Sequence, residues 1–193
     1  MKLKNKIAII TGGGKGIGKE ICLGLAKEGA KIIIADLDKE NSSNVVETII
    51  QNGGDAIYVE TNVSSEESVK NLITKSINKF NQIDILINNA GIRHVKKLED
   101  HNLNDWNDMI SVNLTGPYIC CQAVIPQMKK IGKGKIINFG SIASFMGRPD
   151  RIGYVAAKSG VLGLTRALAI DLKGTNINVN TICPGLISTP FNK

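Results

Sequence analysis

The chain has 193 residues, with 24 lysines and arginines against 17 aspartates and glutamates, so its formal net charge is +7. Because 42% of the residues are hydrophobic, the composition excludes a disordered chain. The length predicts one compact domain over residues 1–193, and no apolar run approaches the ~18 residues that a membrane span needs.

The four cysteines indicate a reducing compartment. Cys22, Cys120, Cys121 and Cys183 show no C-x-x-C spacing, and an adjacent pair is a poor metal clamp. The apolar run that follows the N-terminal lysines is too short for the core of a signal peptide. We therefore expect a cytoplasmic protein without disulfides or a metal site.

The basic charge raises nucleic acid as a partner, but its distribution argues against one. The lysines are scattered, and no aromatic residues interleave with the one cluster between Lys129 and Lys135. We expect no nucleic-acid partner and no membrane contact, whereas an acidic partner or substrate stays open.

Short apolar runs alternate with longer amphipathic segments along the chain. The apolar runs predict six strands, at Ile7–Ile10, Lys31–Ala35, Ala56–Glu60, Ile83–Ile87, Lys135–Phe139 and Ile177–Ile182. Helical spacing and capping signals predict the segments between them as helices, at Lys19–Glu28, Glu40–Gln51, Ser64–Asn78, Leu103–Lys130 and Arg151–Leu172. The residues Ser64–Glu67 match a capping box. This alternation predicts an α/β fold, a doubly wound parallel sheet with helices on both faces.

A glycine-rich loop, Thr11–Gly18, joins the first strand to the first helix. In a doubly wound sheet this is where a pyrophosphate binds, on free N–H groups at a helix N-terminus. A side chain at Gly12, Gly16 or Gly18 would obstruct, respectively, the turn, the phosphate approach and the helix–strand packing. A turn without any ligand is the alternative for this loop taken alone.

The same glycines match most of a nucleoside-triphosphate loop. Gly13-x-x-x-x-Gly18-Lys19 has the spacing, but Glu20 stands where that loop needs a serine or threonine to hold magnesium. A carboxylate cannot supply this hydroxyl and would repel the phosphates, which disfavours a triphosphatase.

Asp36 follows Gly18 by 18 residues and ends the second strand. A carboxylate there accepts hydrogen bonds from an adenosine ribose and repels a 2′-phosphate, which favours NAD over NADP as the cofactor. Lys15 argues the other way, since a basic side chain in the loop can contact that phosphate. We give Asp36 more weight because it lies where both ribose hydroxyls are recognised. It can also act as the N-cap of the next helix.

Tyr154 and Lys158 are four residues apart in a predicted helix and therefore share one face. A nearby ammonium favours the ionised form of a phenol. Ser141 follows the fifth strand, at the edge of the sheet where ligands bind in such folds. A tyrosine base, a lysine and a hydroxyl beside a dinucleotide predict alcohol–carbonyl redox chemistry. The alternative is a half-buried tyrosine with its lysine in solvent.

Together these motifs resemble the short-chain dehydrogenase/reductase family. The matching positions, in the family's order, are Thr11, Gly12, Gly16, Gly18, Asn88, Asn89, Ala90, Gly91, Asn113, Ser141, Tyr154, Lys158, Pro184 and Gly185. The resemblance implies a Rossmann-like fold that binds NAD(P).

The resemblance also implies a role for each site residue. Tyr154 is expected to be the general acid/base, and Lys158 to promote its ionisation and bind the nicotinamide ribose. Ser141 is expected to orient the substrate oxygen, and Asn113 to hold a water in a proton relay. The cofactor contacts that it implies are Gly12, Lys15, Gly16, Ile17, Gly18, Asp36, Leu37, Asn62, Val63, Asn89, Ala90, Gly91, Tyr154, Lys158, Pro184, Gly185, Ile187 and Thr189.

The chain departs from the family in two places. Asn62 stands where members usually have aspartate, and we expect a small effect because asparagine also hydrogen-bonds an adenine. Members usually continue for some dozens of residues beyond Thr189, in a stretch that resembles a substrate lid, a last strand and part of the oligomer interface. We therefore expect a shortened member whose turnover is in doubt, with a homodimer or homotetramer as its assembly.

Three functions stay open from the sequence. Asp36 favours an NAD-dependent dehydrogenase of a sugar, polyol or similar secondary alcohol. The basic charge suits a 3-oxoacyl-[acyl-carrier-protein] reductase that uses NADPH, although Asp36 and the apolar Ile170 argue against it. A nucleotide-binding protein without catalysis is the third. Arg148 and Arg151 precede the tyrosine helix, where we expect a surface position, with contact to a polar substrate as the alternative.

Overall fold

Six parallel strands form one sheet in the computed structural model, which describes residues 1–189 and Phe191. Their order across the sheet is β3-β2-β1-β4-β5-β6. The strands are β1 (Ile7–Thr11), β2 (Lys31–Asp36), β3 (Ala56–Glu60), β4 (Ile85–Asn88), β5 (Gly134–Phe139) and β6 (Ile177–Ile182). All six predicted strands are present.

Helices cover both faces of this sheet. They are α1 (Gly16–Lys27), α2 (Lys39–Gln51), α3 (Glu66–Phe80), α4 (Leu103–Ile110), α5 (Gly116–Ile131) and α6 (Ile152–Asp171). Ile10 and Ile34 pack with side chains of α1 and α2, whereas Ile9 and Ile33 pack on the other face with α3 and α5. Because neighbouring strand residues face opposite sides, the continuous apolar runs serve two cores at once. The predicted single-domain, Rossmann-like doubly wound sheet is confirmed.

The helix predicted over residues 103–130 is divided in two. A π-helical turn, Ser111–Thr115, lies between α4 and α5 and contains Asn113. Pro117 has no N–H to bond the carbonyl of Asn113, which favours a local departure from α-helical geometry. Such turns are frequent at functional sites.

The predicted capping box at Ser64 is wrong. Ser65 is the N-cap of α3, and its hydroxyl accepts a hydrogen bond from the N–H of Ser68. Ser64 instead donates both its N–H and its hydroxyl to the Asn62 side chain, at 3.0 and 2.7 Å. A local turn at Asn62 therefore shifts the start of the helix by one residue.

The strand order places a functional edge at the centre of the sheet. The chain leaves β1 towards β2 and β3 on one side and continues from β4 to β5 and β6 on the other. Between β1 and β4 the direction of winding reverses, and ligands bind beyond the carboxyl ends of strands at such a point. The loops after β1, β2, β4 and β5 meet there.

The cysteines are unpaired in the structure, and the helices are not of the membrane-spanning kind among the described residues. Cys22, Cys120 and Cys121 are buried free thiols, and Cys183 is a half-buried one. Within residues 1–189 and Phe191, no helix has the length and apolar character required to cross a bilayer.

A buried chain of polar side chains ties β4, β5 and β6 to α6. Asn88 donates to Asn138 at 2.8 Å, and Asn138 donates to Thr165 at 2.9 Å. Thr181 donates to Thr165 at 2.7 Å. Asn138 is fully buried, so each of these bonds replaces a contact with water that the fold has removed.

We expect Asn138→Ala to lower the free energy of unfolding by about 1–3 kcal/mol, because it leaves buried partners unsatisfied. Asn178→Ala is the matched control, since Asn178 is an exposed asparagine on β6, and we expect a change within about 0.5 kcal/mol. Urea denaturation measures both. Equal losses in the two variants would contradict the importance of the buried chain.

Candidate active site

The conformation and close packing of the glycine loop require glycine at three positions. Gly12 and Gly16 have φ of +64° and +53°, in the left-handed region. A Cβ on Gly18 would lie 2.0 Å from the carbonyl oxygen of Gly12, so the absence of a side chain lets α1 approach β1. Lys15 is the N-cap of α1 and makes no side-chain capping bond, and the first turn contains no acidic residue. The N–H groups of this turn are suited to an anion.

The loop is fixed to the end of β4 by two side chains. The hydroxyl of Thr11 accepts hydrogen bonds from the N–H groups of Asn89 and Ala90, both at 3.0 Å. The Asn89 amide donates to the carbonyl oxygens of Thr11 and Gly12, at 3.1 and 2.9 Å. The start of the glycine loop is therefore held against the end of β4.

Asp36 braces the loop from the end of β2. Its carboxylate accepts hydrogen bonds from the N–H of Gly14 at 2.9 Å and from the N–H of Asp38 at 3.0 Å. The N-cap of α2 is Asp38, whose side chain accepts from the N–H of Asn41 at 3.1 Å, so the alternative that Asp36 caps this helix is wrong.

Lys15 is paired with an acidic neighbour at the same end of the cleft. Its ammonium lies 2.6 Å from the Asp38 carboxylate. Hydrogen bonding to Lys15 lowers the pKa of Asp38 to about 2, and the same bond raises the pKa of Lys15. A 2′-phosphate at this place would have to compete with Asp38 for the lysine.

Lys158 on α6 is a buried cation. Its side chain is 4% exposed, and its ammonium donates a hydrogen bond to the carbonyl oxygen of Phe139 at 2.8 Å. Burial lowers the pKa of Lys158 to about 8, against a weak opposing effect of Cys183. The nitrogen lies 5.9 Å from the centroid of the Tyr154 ring, so the two side chains share one face of α6.

Ser141 is positioned by the turn that follows β5. It is the N-cap of a 3₁₀ turn, Ile142–Ser144, and its hydroxyl accepts from the N–H of Ala143 at 3.1 Å. The hydroxyl of Ser144 donates to the carbonyl oxygen of Lys158 at 2.7 Å. Sequence reasoning missed Ser144, which joins the serine turn to the tyrosine helix. Its spacing of three residues from Ser141 was the available signal.

Asn113 lies behind the cleft and is fully buried. Its amide donates to the carbonyl oxygens of Ile92 and Met109, both at 3.0 Å, and its oxygen accepts from the N–H of Ile92 at 3.2 Å. A Cβ on Gly91 would lie 2.8 Å from this oxygen and 3.7 Å from the Lys158 nitrogen. The Asn113 side chain therefore positions the backbone next to Lys158.

One cleft of about 810 Å³ joins these parts. Of the residues that the sequence singled out as catalytic or cofactor-binding, all line it except Gly18 and Asn113, which support its wall from behind. Its lining also includes Asp38, Thr61, Arg93 and Phe191, which the sequence-based site omitted. Arg148 is exposed, as expected, and Arg151 is half-buried, and both line the cleft. The described residues contain no group of three metal-ligating side chains.

The cleft fits a nicotinamide dinucleotide. Its lining runs from Asp36 at the end of β2, past the loop at Gly12 and Gly16, to Tyr154 and Lys158 on α6. The left-handed glycines and the uncapped first turn of α1 suit a pyrophosphate, and Asp36 suits a ribose.

Comparison with known proteins gives a consistent result. A family model described as short chain dehydrogenase matches residues 6–193. An uncharacterized oxidoreductase of Thermotoga maritima is 41% identical, over 97% of this chain and 73% of that protein. A 3-oxoacyl-[acyl-carrier-protein] reductase of Synechocystis is 41% identical, over 99% of this chain and 78% of that protein. The crystal structure of levodione reductase superposes with a TM-score of 0.95 and 31% identity, covering 98% of this chain and 75% of that one.

The fold, the cleft and these relatives agree. The chain belongs to the short-chain dehydrogenase family and is an oxidoreductase that acts on CH–OH donors with a nicotinamide cofactor.

Proposed function

We propose that this chain reduces the keto group of a 3-oxoacyl thioester and, in the reverse direction, oxidises the 3-hydroxyacyl group. The observation that carries the proposal is that Ser141, Tyr154 and Lys158 line the same cleft as the glycine loop. The name of the Synechocystis relative supports this substrate class over a sugar or polyol. The net charge of +7 suits an acidic carrier of the acyl group.

The residues of the cleft divide the reaction between them. A nicotinamide cofactor held in this cleft would supply the hydride for reduction and accept it in oxidation. Tyr154 gives a proton to the carbonyl oxygen in reduction and takes it from the hydroxyl in oxidation. The Ser141 hydroxyl orients this oxygen, and the Lys158 ammonium stabilises negative charge that develops on the tyrosine oxygen. Asn113 positions the backbone of Gly91 and Ile92 beside Lys158. The proposal also includes a proton relay through a water held by Asn113.

The cofactor is held by the loop and the strand ends in this proposal. Gly12, Gly16 and Ile17 contact the pyrophosphate, and Asp36 contacts the adenosine ribose. The other predicted contacts are Lys15, Leu37, Asn62, Val63, Asn89, Ala90, Gly91, Pro184, Gly185, Ile187 and Thr189, all of which line the cleft. Gly18 acts indirectly, by letting α1 approach β1.

NAD(H) is the proposed cofactor, because Asp36 is a carboxylate and Lys15 is already paired with Asp38. A carboxylate at the end of β2 repels a 2′-phosphate. This position also favours a second candidate, an NAD-dependent dehydrogenase of a sugar, polyol or similar secondary alcohol. The third possibility, a nucleotide-binding protein without catalysis, is disfavoured because the tyrosine, lysine and serine all line the cleft.

The proposal includes a cytoplasmic homodimer or homotetramer. Leu103 and Trp106 on α4 are large side chains with 71% and 38% exposure, which suits contact with a second copy. The buried free thiols suit a reducing compartment.

With acetoacetyl-CoA and NADH, we expect reduction by the unaltered chain and a fall of about 10²–10⁴-fold in kcat for Tyr154→Phe, because the proton donor is lost. The absorbance of NADH gives the rate, and fluorescence titration shows whether the variant still binds NADH. Tyr118→Phe is the control, since this exposed tyrosine lies outside the cleft. Turnover of sorbitol with NAD but none of acetoacetyl-CoA would support the second candidate instead.

We expect Asp36→Asn to lower the preference for NADH over NADPH, as a ratio of kcat/KM, by about tenfold or more, because a like-charge repulsion is removed. Asp55→Asn makes the same charge change at a half-buried carboxylate that does not line the cleft and is the control. An unchanged ratio in Asp36→Asn would contradict the role of this carboxylate in cofactor choice.

The buried Lys158 makes part of the stability depend on pH. Below pH 8 it is charged in both the folded and the unfolded chain, so the cost of burying the charge is fully present. Between about pH 8 and its ordinary pKa of 10.5 the folded chain binds fewer protons, so this contribution to the free energy of unfolding rises with pH.

We therefore expect Lys158→Met to raise the free energy of unfolding relative to the unaltered chain most at pH 7, with a difference that shrinks towards pH 10. Urea titrations across this range measure it, and the ionisations of thiols that do not interact with Lys158 cancel in the difference. Lys129→Met, at an exposed lysine of α5, gives a difference without this trend. A constant difference for Lys158→Met would contradict the lowered pKa.

A further inference from the structure

The charged side chains of the cleft are distributed unevenly. At the end of β2, the cation of Lys15 lies among the carboxylates of Asp36 and Asp38, so the local charge is balanced or negative. This end is suited to an uncharged ribose, as proposed above.

Positively charged side chains surround Tyr154 at the other end of the cleft. Among the residues that the structure describes, the cleft lining there includes Arg93, Arg148, Arg151 and Lys158 and no carboxylate. Lys158 is buried, Arg151 is half-buried and Arg148 is exposed. Such a group of cations around a concave site produces a positive potential that attracts anions. The proposed catalytic residues account for Lys158 but not for three arginines.

Two of the arginines are tied to the position of the tyrosine. Arg151 is the N-cap of α6, three residues before Tyr154. Arg93 donates to the carbonyl oxygen of Phe191 at 3.0 Å, and its guanidinium lies 5.1 Å from the centroid of that ring. The Phe191 ring centroid is 6.4 Å from that of Tyr154, so Arg93 also belongs to the substrate end.

Arg148 and Arg151 have no counter-ion among the residues that the structure describes. Within residues 1–189 and Phe191, neither has an ion pair or a side-chain hydrogen bond, and the Nε of Arg151 is buried without a partner. A buried polar atom without a protein partner is costly, so an acceptor that reaches this Nε would be stabilised there.

We infer that the substrate carries an anionic oxygen group, a carboxylate or a phosphate, which Arg148 and Arg151 bind while Arg93 adds positive charge. This inference rests on the proposed function, since it places the anion on the molecule whose carbonyl reaches Tyr154. Guanidinium groups bind carboxylate and phosphate oxygens through paired hydrogen bonds. Arg148 and Arg151 are then residues that determine substrate specificity.

The test measures binding to the full chain saturated with NAD⁺, a state in which ketones are not reduced. Isothermal titration calorimetry compares two pairs of probes, acetoacetate with ethyl acetoacetate and pantetheine 4′-phosphate with pantetheine. The first pair tests a carboxylate beside the keto group, and the second tests the phosphate of a carrier arm. We expect the charged member of at least one pair to bind about tenfold or more tightly than its neutral partner.

The variants Arg148→Gln and Arg151→Gln are expected to remove this difference, and Arg166→Gln, an exposed arginine farther along α6, to keep it. Titration with NAD⁺ checks that each variant is folded and holds the cofactor. Equal binding of charged and neutral probes, no binding of the charged ones, or a difference that survives in both variants would overturn the inference. Absence of acetoacetyl-CoA reduction together with selective binding of a charged probe would instead overturn only the proposed thioester substrate.

Discussion

The hydrogen bonds that join the ends of β1 and β4 are the constraint on which the rest of the cleft depends. Thr11 and Asn89 exchange bonds across the two strands, and Asn89 also binds the carbonyl of Gly12. The sheet changes its direction of winding between these strands, which leaves a crevice beyond their carboxyl ends. Fixing the two loops to each other keeps that gap open and gives it a rigid wall, as a preorganised site requires.

The catalytic side is organised by one buried charge. Lys158 has lost most of its contact with water and is held by the carbonyl oxygen of Phe139. Ser144 fastens the backbone of Lys158 to the turn that begins at Ser141, so serine, tyrosine and lysine are connected through short paths. Burying the ammonium costs free energy. The same burial lowers the local dielectric constant, so the charge of Lys158 acts more strongly on the proposed proton donor.

Charge also divides the cleft into two chemically different ends. In the proposed function, the carboxylates at the end of β2 disfavour a phosphate, whereas the arginines around Tyr154 favour an anion. An uncharged ribose would then be disfavoured at the arginine end, and an anionic substrate group would be disfavoured at the carboxylate end. Because Lys15 is paired with Asp38, a 2′-phosphate at the end of β2 would have to compete with that carboxylate for the lysine.

Much of the fold and of the site could be predicted from the sequence, because both rest on local patterns. The apolar runs at Ile7 and Lys31, the glycines at 12 and 16, and the spacing of Tyr154 and Lys158 depend on rules of a few residues. The π-helical turn at Asn113 and the N-cap at Asp38 were missed, since each depends on competition between neighbouring hydrogen bonds. Only the tertiary structure brought Arg93 to Tyr154, through the Phe191 ring, because contacts between distant segments follow from packing rather than from spacing along the chain.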